Sequence, residues 1–149
     1  MNDVSALASR ALRERMRERE EAVVLCRGWG QGLPRNGKDV AGAVAEWLQR
    51  RAEGCGVAAE RIWVDPGIGF GTTRAQDMAM LEGMGKIAAA GYPVVVGLSR
   101  KRVVRECLAR LGEDLDAATA RASWEAWRAG AAMLRVHRIP ARQAALGGE

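Results

Sequence analysis

The chain has 149 residues, of which 48% are hydrophobic and 28% are charged, a balance typical of a soluble globular protein. No apolar run approaches the roughly 20 residues that span a bilayer, and no signal region is recognisable, so we expect a cytoplasmic protein without a membrane partner. The formal net charge of +5 is spread along mixed-charge helical faces, which argues against nucleic acid as a partner and fits a phosphorylated small-molecule substrate.

Apolar residues at helical spacing alternate with short apolar runs along the whole chain. In chain order, the predicted elements are a helix over 4–16, a strand over 21–28, a helix over 40–48, a strand over 61–65, a helix over 80–88, a strand over 94–97, a helix over 103–111, a helix around 124–127, a strand over 133–137 and a terminal helix over 140–146.

Four strands that are each followed by a helix predict a parallel α/β architecture with right-handed crossovers, in a single domain over residues 1–149. Periodicity alone does not separate an open doubly wound sheet from part of a (β/α) barrel. The positions of the polar residues are therefore the next guide.

Polar residues and glycines follow each predicted strand directly. In parallel βα folds the ligand site gathers at the carboxyl ends of the strands, so these residues are candidates for one site. They are Arg27-Gly28, the glycine-rich run 65–71, the run 97–101 and Arg135-Val136-His137, with Asn2-Asp3-Val4 standing before the first helix, where another strand is expected to end.

The chemistry of this set suits an anionic heteroaromatic ligand. Asp65 and Asn2 offer the acceptor and donor pattern that an aminopyrimidinone edge requires, and Phe70 can stack on a ring. Arg135 and His137 are two apart on one strand and point to the same side, where they can hold phosphate oxygens beside the charge of Lys101.

Each of these signals also has a purely structural interpretation. Asp65-Pro-Gly is a common turn sequence, Ser99-Arg100-Lys101 can begin a helix, and a lone His137 is more often structural than catalytic. Three widely spaced cysteines and one histidine favour neither a disulfide framework nor a zinc site, and no metal-ligating residue is predicted.

The order and spacing of four motifs resemble the dihydropteroate synthase family. The motifs are Asn-Asp-Val at 2–4, Asp65-Pro-Gly-Ile-Gly-Phe-Gly71, Gly97-Leu-Ser-Arg-Lys101 and Arg135-Val-His137. The resemblance implies a partial (β/α)8 TIM barrel that runs from the end of strand 4 through helix 8. It also implies the folate-pathway condensation of a pterin pyrophosphate with para-aminobenzoate.

The resemblance further implies a role for individual residues. Asn2, Asp65, Gly97 and Lys101 are expected at the pterin ring, with Asp65 and Lys101 as catalytic groups; Phe70 and Ser99 are expected at para-aminobenzoate, and Arg135 and His137 at the pyrophosphate. The family implies Mg²⁺ as a cofactor, although the residue that usually binds it belongs to a segment this chain lacks.

The chain also departs from the family pattern. Leu25-Cys26 replaces His-Met, Thr72 replaces a lysine, Ala118-Thr119-Ala120 replaces Gly-Ser/Thr-Leu, and Arg138 replaces an aspartate. The first three strands of the family have no counterpart, so we expect a truncated or split frame that is incomplete alone and either forms a homodimer or joins a partner chain. A non-catalytic pterin-binding or half-barrel interaction protein, or a relative of the pterin-dependent methyltransferases, stays open.

Overall fold

The computed structural model of the chain describes residues 1–29, 31, 33–34, 39–109 and 112–137. The strands are β1 (Asn2–Asp3), β2 (Val23–Cys26), β3 (Ile62–Asp65), β4 (Val95–Val96) and β5 (Met133–Leu134). The α-helices are α1 (Arg10–Arg17), α2 (Val40–Gly54), α3 (Arg74–Glu82), α4 (Met84–Ala88) and α5 (Leu115–Arg128). A 3-10 turn covers Ala59–Arg61 and a π-helical segment covers Val104–Leu108. The predicted terminal helix over 140–146 lies outside the described residues.

The strands are parallel and follow one another in chain order. β1 pairs with β2, β2 pairs with β3, and β4 pairs with β5, all in parallel. β3 and β4 are joined by a parallel bridge between Val64 and Val94 and by the Val64 N–H, which donates to the Pro93 carbonyl at 3.0 Å. Because the strand order never reverses, this is the arrangement of a barrel segment and not of a doubly wound sheet, which confirms the predicted fold class.

The two faces of the strands have different surroundings. Leu25, Val64 and Ile62 point outward and are at most 1% exposed, packed in one core with the apolar residues of α2 such as Val44 and Leu48. Side chains alternate along a strand, and the β2–β3 register aligns Cys26 with Asp65, so Asp65 points to the opposite, inner face. Polar groups at the carboxyl ends of the strands therefore converge on the inner face.

The first helix begins later than its apolar pattern predicts. The pattern starts at Val4, but α1 starts at Arg10, because the Asp3 carboxylate accepts the N–H groups of Ser5 at 3.2 Å and Leu7 at 2.5 Å and so fixes a tight turn. Ala6 and Leu7 adopt φ of 49° and 56°, and both are fully buried. Burial of this apolar pair stabilises a left-handed backbone conformation that such residues seldom adopt.

The predicted helix over 80–88 consists of two helices that meet at Gly83. A Cβ added at Gly83 would lie 2.3 Å from the Cβ of Ala41 on α2, so the glycine permits close packing of α2. The first of the two, α3, begins right after the glycine-rich run 65–71, where Thr73 and Gln76 form a capping box. The helix predicted over 103–111 is the π-helical segment.

Candidate active site

Asp65 is the buried acid at the carboxyl end of β3. Its side chain is 1% exposed; Oδ1 accepts the Gly67 N–H at 2.8 Å, and Oδ2 accepts Nη2 of Arg135 at 2.9 Å. Asp65 thus makes the turn that its Asp-Pro-Gly sequence predicts and also faces the inner surface of the strands. On the adjacent strand, burial and the Asp65 charge raise the pKa of Cys26 to about 12, so this thiol is neutral near pH 7.

Arg135 brings the predicted ring-binding groups together. Its guanidinium donates from Nη2 to Asp65 and from Nη1 to Oδ1 of Asn2 at 3.0 Å. A Cβ added at Gly97 would lie 3.2 Å from Nε of Arg135, so the guanidinium lies directly over this glycine. Asn2, Asp65, Gly97 and Arg135 are therefore one cluster, whereas the sequence placed Arg135 with the phosphate and the other three with the ring.

Lys101 and Phe70 form the neighbouring part of the site. Nζ of Lys101 donates to the Ile68 carbonyl at 2.5 Å and lies 5.1 Å from the centroid of the Phe70 ring, within cation–π range. Burial lowers the pKa of Lys101, while the negative charge of Asp65 opposes that shift. Lys101 therefore lies within the electrostatic reach of Asp65 and against the aromatic ring predicted to contact the second substrate.

Trp29 extends the aromatic side of the site and was not among the predicted residues. Its ring lies 6.3 Å from that of Phe70 in an edge-to-face arrangement, and the residue is 71% exposed. Its position directly after the strand-ending Arg27-Gly28 was the available sequence signal. Together, Lys101, Phe70 and Trp29 make a cation–aromatic row beside the Asp65 cluster.

Ser99 and His137 lie next to each other at the carboxyl ends of β4 and β5. The backbone N–H of His137 donates to Oγ of Ser99 at 3.4 Å. The predicted roles of Ser99 at para-aminobenzoate and of the His137 imidazole at pyrophosphate stay predictions.

Arg27 is the group that holds the loops of the site, although in the sequence it stood out only as a strand end. It is 1% exposed and donates to five carbonyl oxygens, those of Gly28, Gln31, Pro66, Gly67 and Phe70, at 2.9 to 3.3 Å. Burial lowers its pKa, and its charge is distributed over these carbonyl dipoles. The loops after β2 and β3 are consequently joined through one side chain.

Asp77 supports the same loop from α3 and was also missed. It is fully buried, and its Oδ1 accepts the Gly69 N–H at 2.9 Å and the Thr72 hydroxyl at 2.5 Å. Its Oδ2 is buried and has no partner among the residues that the structure describes. Thr72, a departure from the family lysine, is thereby part of a local network that fixes Gly69.

The described residues contain no cluster of three or more metal-ligating side chains. Within the ranges 1–29, 31, 33–34, 39–109 and 112–137, no group of three or more His, Cys, Asp and Glu could hold a metal ion. Asp65, the acid of the cluster, has a partner at each of its two oxygens. The described residues therefore include no cluster of ligands for the Mg²⁺ that the family resemblance implies. No helix in the described part of the chain is long and apolar enough to cross a membrane.

The fold and the site define the class of protein. Parallel βα units carry, at the carboxyl ends of their strands, a buried carboxylate, an amide and two cations, as expected of a barrel-type enzyme for an anionic ligand. A family model described as "Pterin binding enzyme" matches residues 1–137. The chain belongs to this pterin-binding enzyme family.

Individual relatives agree with the family match. The chain is 38% identical to a dihydropteroate synthase of Streptococcus pyogenes over 111 residues, covering 71% of this chain and 42% of the relative. It is 34% identical to one from Neisseria meningitidis over an alignment of 161 positions, which covers 98% of this chain and 55% of the relative. The chain spans about half the length of the curated relatives it matches.

Solved structures give the same result. The dihydropteroate synthase of Xanthomonas albilineans with 4-aminobenzoic acid matches with a TM-score of 0.82 at 32% identity, covering 97% of this chain and 54% of that one. The Thermus thermophilus synthase in complex with 6HMPPP matches with a TM-score of 0.80 at 30% identity, covering 98% and 59%. These matches confirm the partial TIM-barrel fold and the family resemblance.

Proposed function

We propose that the chain acts in the dihydropteroate synthase reaction, the condensation of 6-hydroxymethyl-7,8-dihydropterin pyrophosphate with para-aminobenzoate to 7,8-dihydropteroate. The observation that carries the proposal is the buried Asp65 carboxylate, which shares one guanidinium with Asn2 at the carboxyl ends of the strands. A carboxylate and an amide that bind one guanidinium between them can also take the N–H donors and carbonyl of an aminopyrimidinone edge. The related synthases solved with 4-aminobenzoic acid and with 7,8-dihydropteroate support the choice of substrates.

The reaction assigns a task to each part of the site. The C–O bond at the pterin methylene breaks and pyrophosphate leaves with its electron pair; the aniline nitrogen forms the new C–N bond and then releases a proton. Asp65 would stabilise the electron-poor ring, with Lys101 beside it, and Gly97 would line the ring pocket. Catalysis of this kind is mainly electrostatic and positional.

The remaining predicted residues are assigned to the pyrophosphate and to para-aminobenzoate. Arg135 and His137 would hold the departing pyrophosphate, and Phe70 and Ser99 would contact para-aminobenzoate. The 5.1 Å contact of Lys101 with the Phe70 ring supports a shared border between the pterin and the aminobenzoate positions. The Arg135 and His137 pair favours a synthase over a pterin-dependent methyltransferase, because a pyrophosphate leaving group needs cations.

The chain corresponds to about half of its relatives, so the proposal includes a source for the remaining catalytic groups. We propose that residues 1–149 form one partial domain that works with a further chain segment, a partner chain or a second copy. A non-catalytic pterin-binding module is the second candidate, because the cluster of Asn2, Asp65 and Arg135 is assembled from this chain alone.

Pteroate formation tests the synthase proposal. Both substrates are incubated with the chain alone and with the chain mixed with the amino-terminal segment of the related X. albilineans enzyme. We expect turnover only in the mixture, and a loss of at least about 100-fold with Asp65→Asn, since electrostatic stabilisers of this kind are worth about that much.

Asp116→Asn is the matched control, because Asp116 is an exposed acid in the first turn of α5. Equal turnover with Asp65→Asn and Asp116→Asn would remove Asp65 from the reaction. Pterin binding without turnover in any mixture would favour the binding module.

A further inference from the structure

We propose that Arg135 closes the ring-binding edge of the site in the ligand-free chain, and that an anionic group of the ligand opens it by drawing the guanidinium away. The inference rests on the proposed function, because it concerns the same pterin site. It makes Arg135 a residue that determines specificity for phosphorylated pterins, in addition to its proposed contact with the leaving group.

Burial shows which group covers the acid. The Asp65 side chain is 1% exposed, whereas that of Arg135, which donates to it at 2.9 Å, is 43% exposed. The guanidinium is thus a layer between the carboxylate and solvent on that side. The other carboxylate oxygen already accepts the Gly67 N–H within the turn. A ring edge can reach Oδ2 of Asp65 only when Arg135 moves.

The chemistry of the covering group matches that of the ligand it excludes. A guanidinium presents coplanar N–H donors around one carbon, and the amino and ring N–H donors of an aminopyrimidinone are arranged in the same way. Arg135 directs two such donors to the oxygens predicted to read the pterin, those of Asp65 and Asn2. The side chain and the ring therefore compete for the same acceptors.

The position of Arg135 allows it to leave. Gly97 lies beneath it, and a Cβ there would come within 3.2 Å of Nε and 3.3 Å of Nη2, so the glycine provides the space in which the guanidinium lies flat. The Arg135 side chain is 43% exposed, so water can solvate the guanidinium when it leaves the carboxylate. Pyrophosphate offers several oxygens and more charge than one carboxylate, which favours transfer of the guanidinium to the ligand's own tail.

A pterin without phosphate has no group to draw Arg135 away and must displace it unaided. The apparent affinity of a ligand falls in proportion to the fraction of protein in the open state, so a site that is open one tenth of the time binds about tenfold more weakly. Free inorganic pyrophosphate should then strengthen binding of the neutral pterin, because the two ligands favour the same open state.

The test is calorimetric titration of 6-hydroxymethylpterin, which carries no phosphate, into the full chain with and without inorganic pyrophosphate. We expect pyrophosphate to tighten binding to the wild type about tenfold, and Arg135→Gln to bind about tenfold more tightly than the wild type with no further gain from pyrophosphate. Arg128→Gln, a change at an exposed arginine that ends α5, should behave as the wild type. Weaker or unchanged binding by Arg135→Gln, or competition between pyrophosphate and the pterin, would overturn the inference.

A double-mutant cycle separates failure of this inference from failure of the proposed function. Unfolding free energies of wild type, Arg135→Gln, Asp65→Asn and the double variant report the Arg135–Asp65 coupling without any ligand. Absence of Arg135–Asp65 coupling would contradict the closed state but would not contradict the proposed pterin function. Coupling with equal pterin binding by wild type and Arg135→Gln overturns the gate alone. Coupling with no pterin bound by any variant overturns both.

Discussion

The two sides of the site are built differently. On the β2–β3 side, the buried Arg27 donates to several loop carbonyls, and the buried Asp77 accepts the Gly69 N–H and the Thr72 hydroxyl. On the β4–β5 side, Arg135 is half-exposed and its contacts reach other side chains. The Asp65 carboxylate is therefore part of a buried, hydrogen-bonded region, whereas the cation that covers it is a half-exposed side chain.

Arg27→Met should cause the largest loss of stability. It leaves up to five carbonyl oxygens without their donor in a buried position, which should lower the free energy of unfolding by about 3–5 kcal/mol. Denaturant unfolding measures this loss in the free energy of unfolding. Arg50→Met, which removes an exposed i,i+4 pair with Glu46, is the control and should cost less than about 0.5 kcal/mol. Equal effects of the two changes would mean that Arg27 does not hold the loops.

Gly67→Ala should come next, because two penalties coincide at this glycine. Its φ is +71°, and an added Cβ would lie 1.9 Å from the Arg27 carbonyl oxygen, so the β2–β3 contact must open. We expect a loss of about 2–4 kcal/mol in thermal or denaturant unfolding. Gly91→Ala has a similar φ of +90° with open space around it, so it should show only the backbone term of about 1 kcal/mol. A loss no larger than that of Gly91→Ala contradicts the close approach.

Asp77 provides a matched pair of substitutions. Asp77→Ala removes the acceptor of the Gly69 N–H and the Thr72 hydroxyl and should destabilise the chain by about 2 kcal/mol. Asp77→Asn keeps one acceptor oxygen. It also removes the negative charge of a carboxylate whose Oδ2 is buried without a described partner, so the loss of stability should be smaller than with Asp77→Ala. Denaturant midpoints compare the two; a larger loss for the asparagine would show that the negative charge itself is required.

Arg135→Gln should have the smallest effect on stability, about 1.4 kcal/mol, because a site that is closed about nine tenths of the time corresponds to a roughly tenfold preference for the Arg135–Asp65 pair. A loss as large as that of Arg27→Met would make Arg135 part of the buried, hydrogen-bonded side of the site. The predicted difference between the two sides would then disappear.

The three cysteines differ in burial, and Cys26 lies at the end of β2 beside Asp65. Burial raises the pKa of Cys26 to about 12 from an ordinary value of 9.0, and Cys55 is buried while Cys107 is exposed. A thiol reagent at pH 8 should label Cys107 rapidly and the other two only after unfolding. Since the unfolded Cys26 thiol ionises near pH 9 and the folded one does not, this group should lower stability as pH rises from about 9 towards 12. Rapid labelling of Cys26 in the native chain would show that the carboxyl end of β2 is accessible to the reagent.

The strand ends were predictable because their signals are local. Asp65, Gly97 and Arg135 each follow a short apolar run, and parallel strands bring such ends to one edge without further information. The tight turn at Asp3 was not predicted, because Ala6 and Leu7 continue an apolar helical pattern, and their positive φ depends on burial together with the Asp3 hydrogen bonds. Local sequence could not assign a role to Arg27 either, since three of its acceptors lie about 40 residues further along the chain.

Arg135 illustrates the remaining limit. Its sequence position correctly placed a cation at the carboxyl end of β5, but which anion it binds in the free chain depends on the distance to Asp65 across the strands. That distance is a tertiary property of the sheet. The sequence could therefore identify the members of the cluster and not their pairing.

A structure of the chain bound to 6-hydroxymethyl-7,8-dihydropterin pyrophosphate tests the central claim most directly. The quantity to measure is the distance from Oδ2 of Asp65 to its nearest donor. We expect a ring nitrogen of the pterin within about 2.7–3.2 Å of Asp65, with the Arg135 guanidinium moved to the pyrophosphate. A bound pterin elsewhere on the chain, with Arg135 still paired to Asp65, would contradict it.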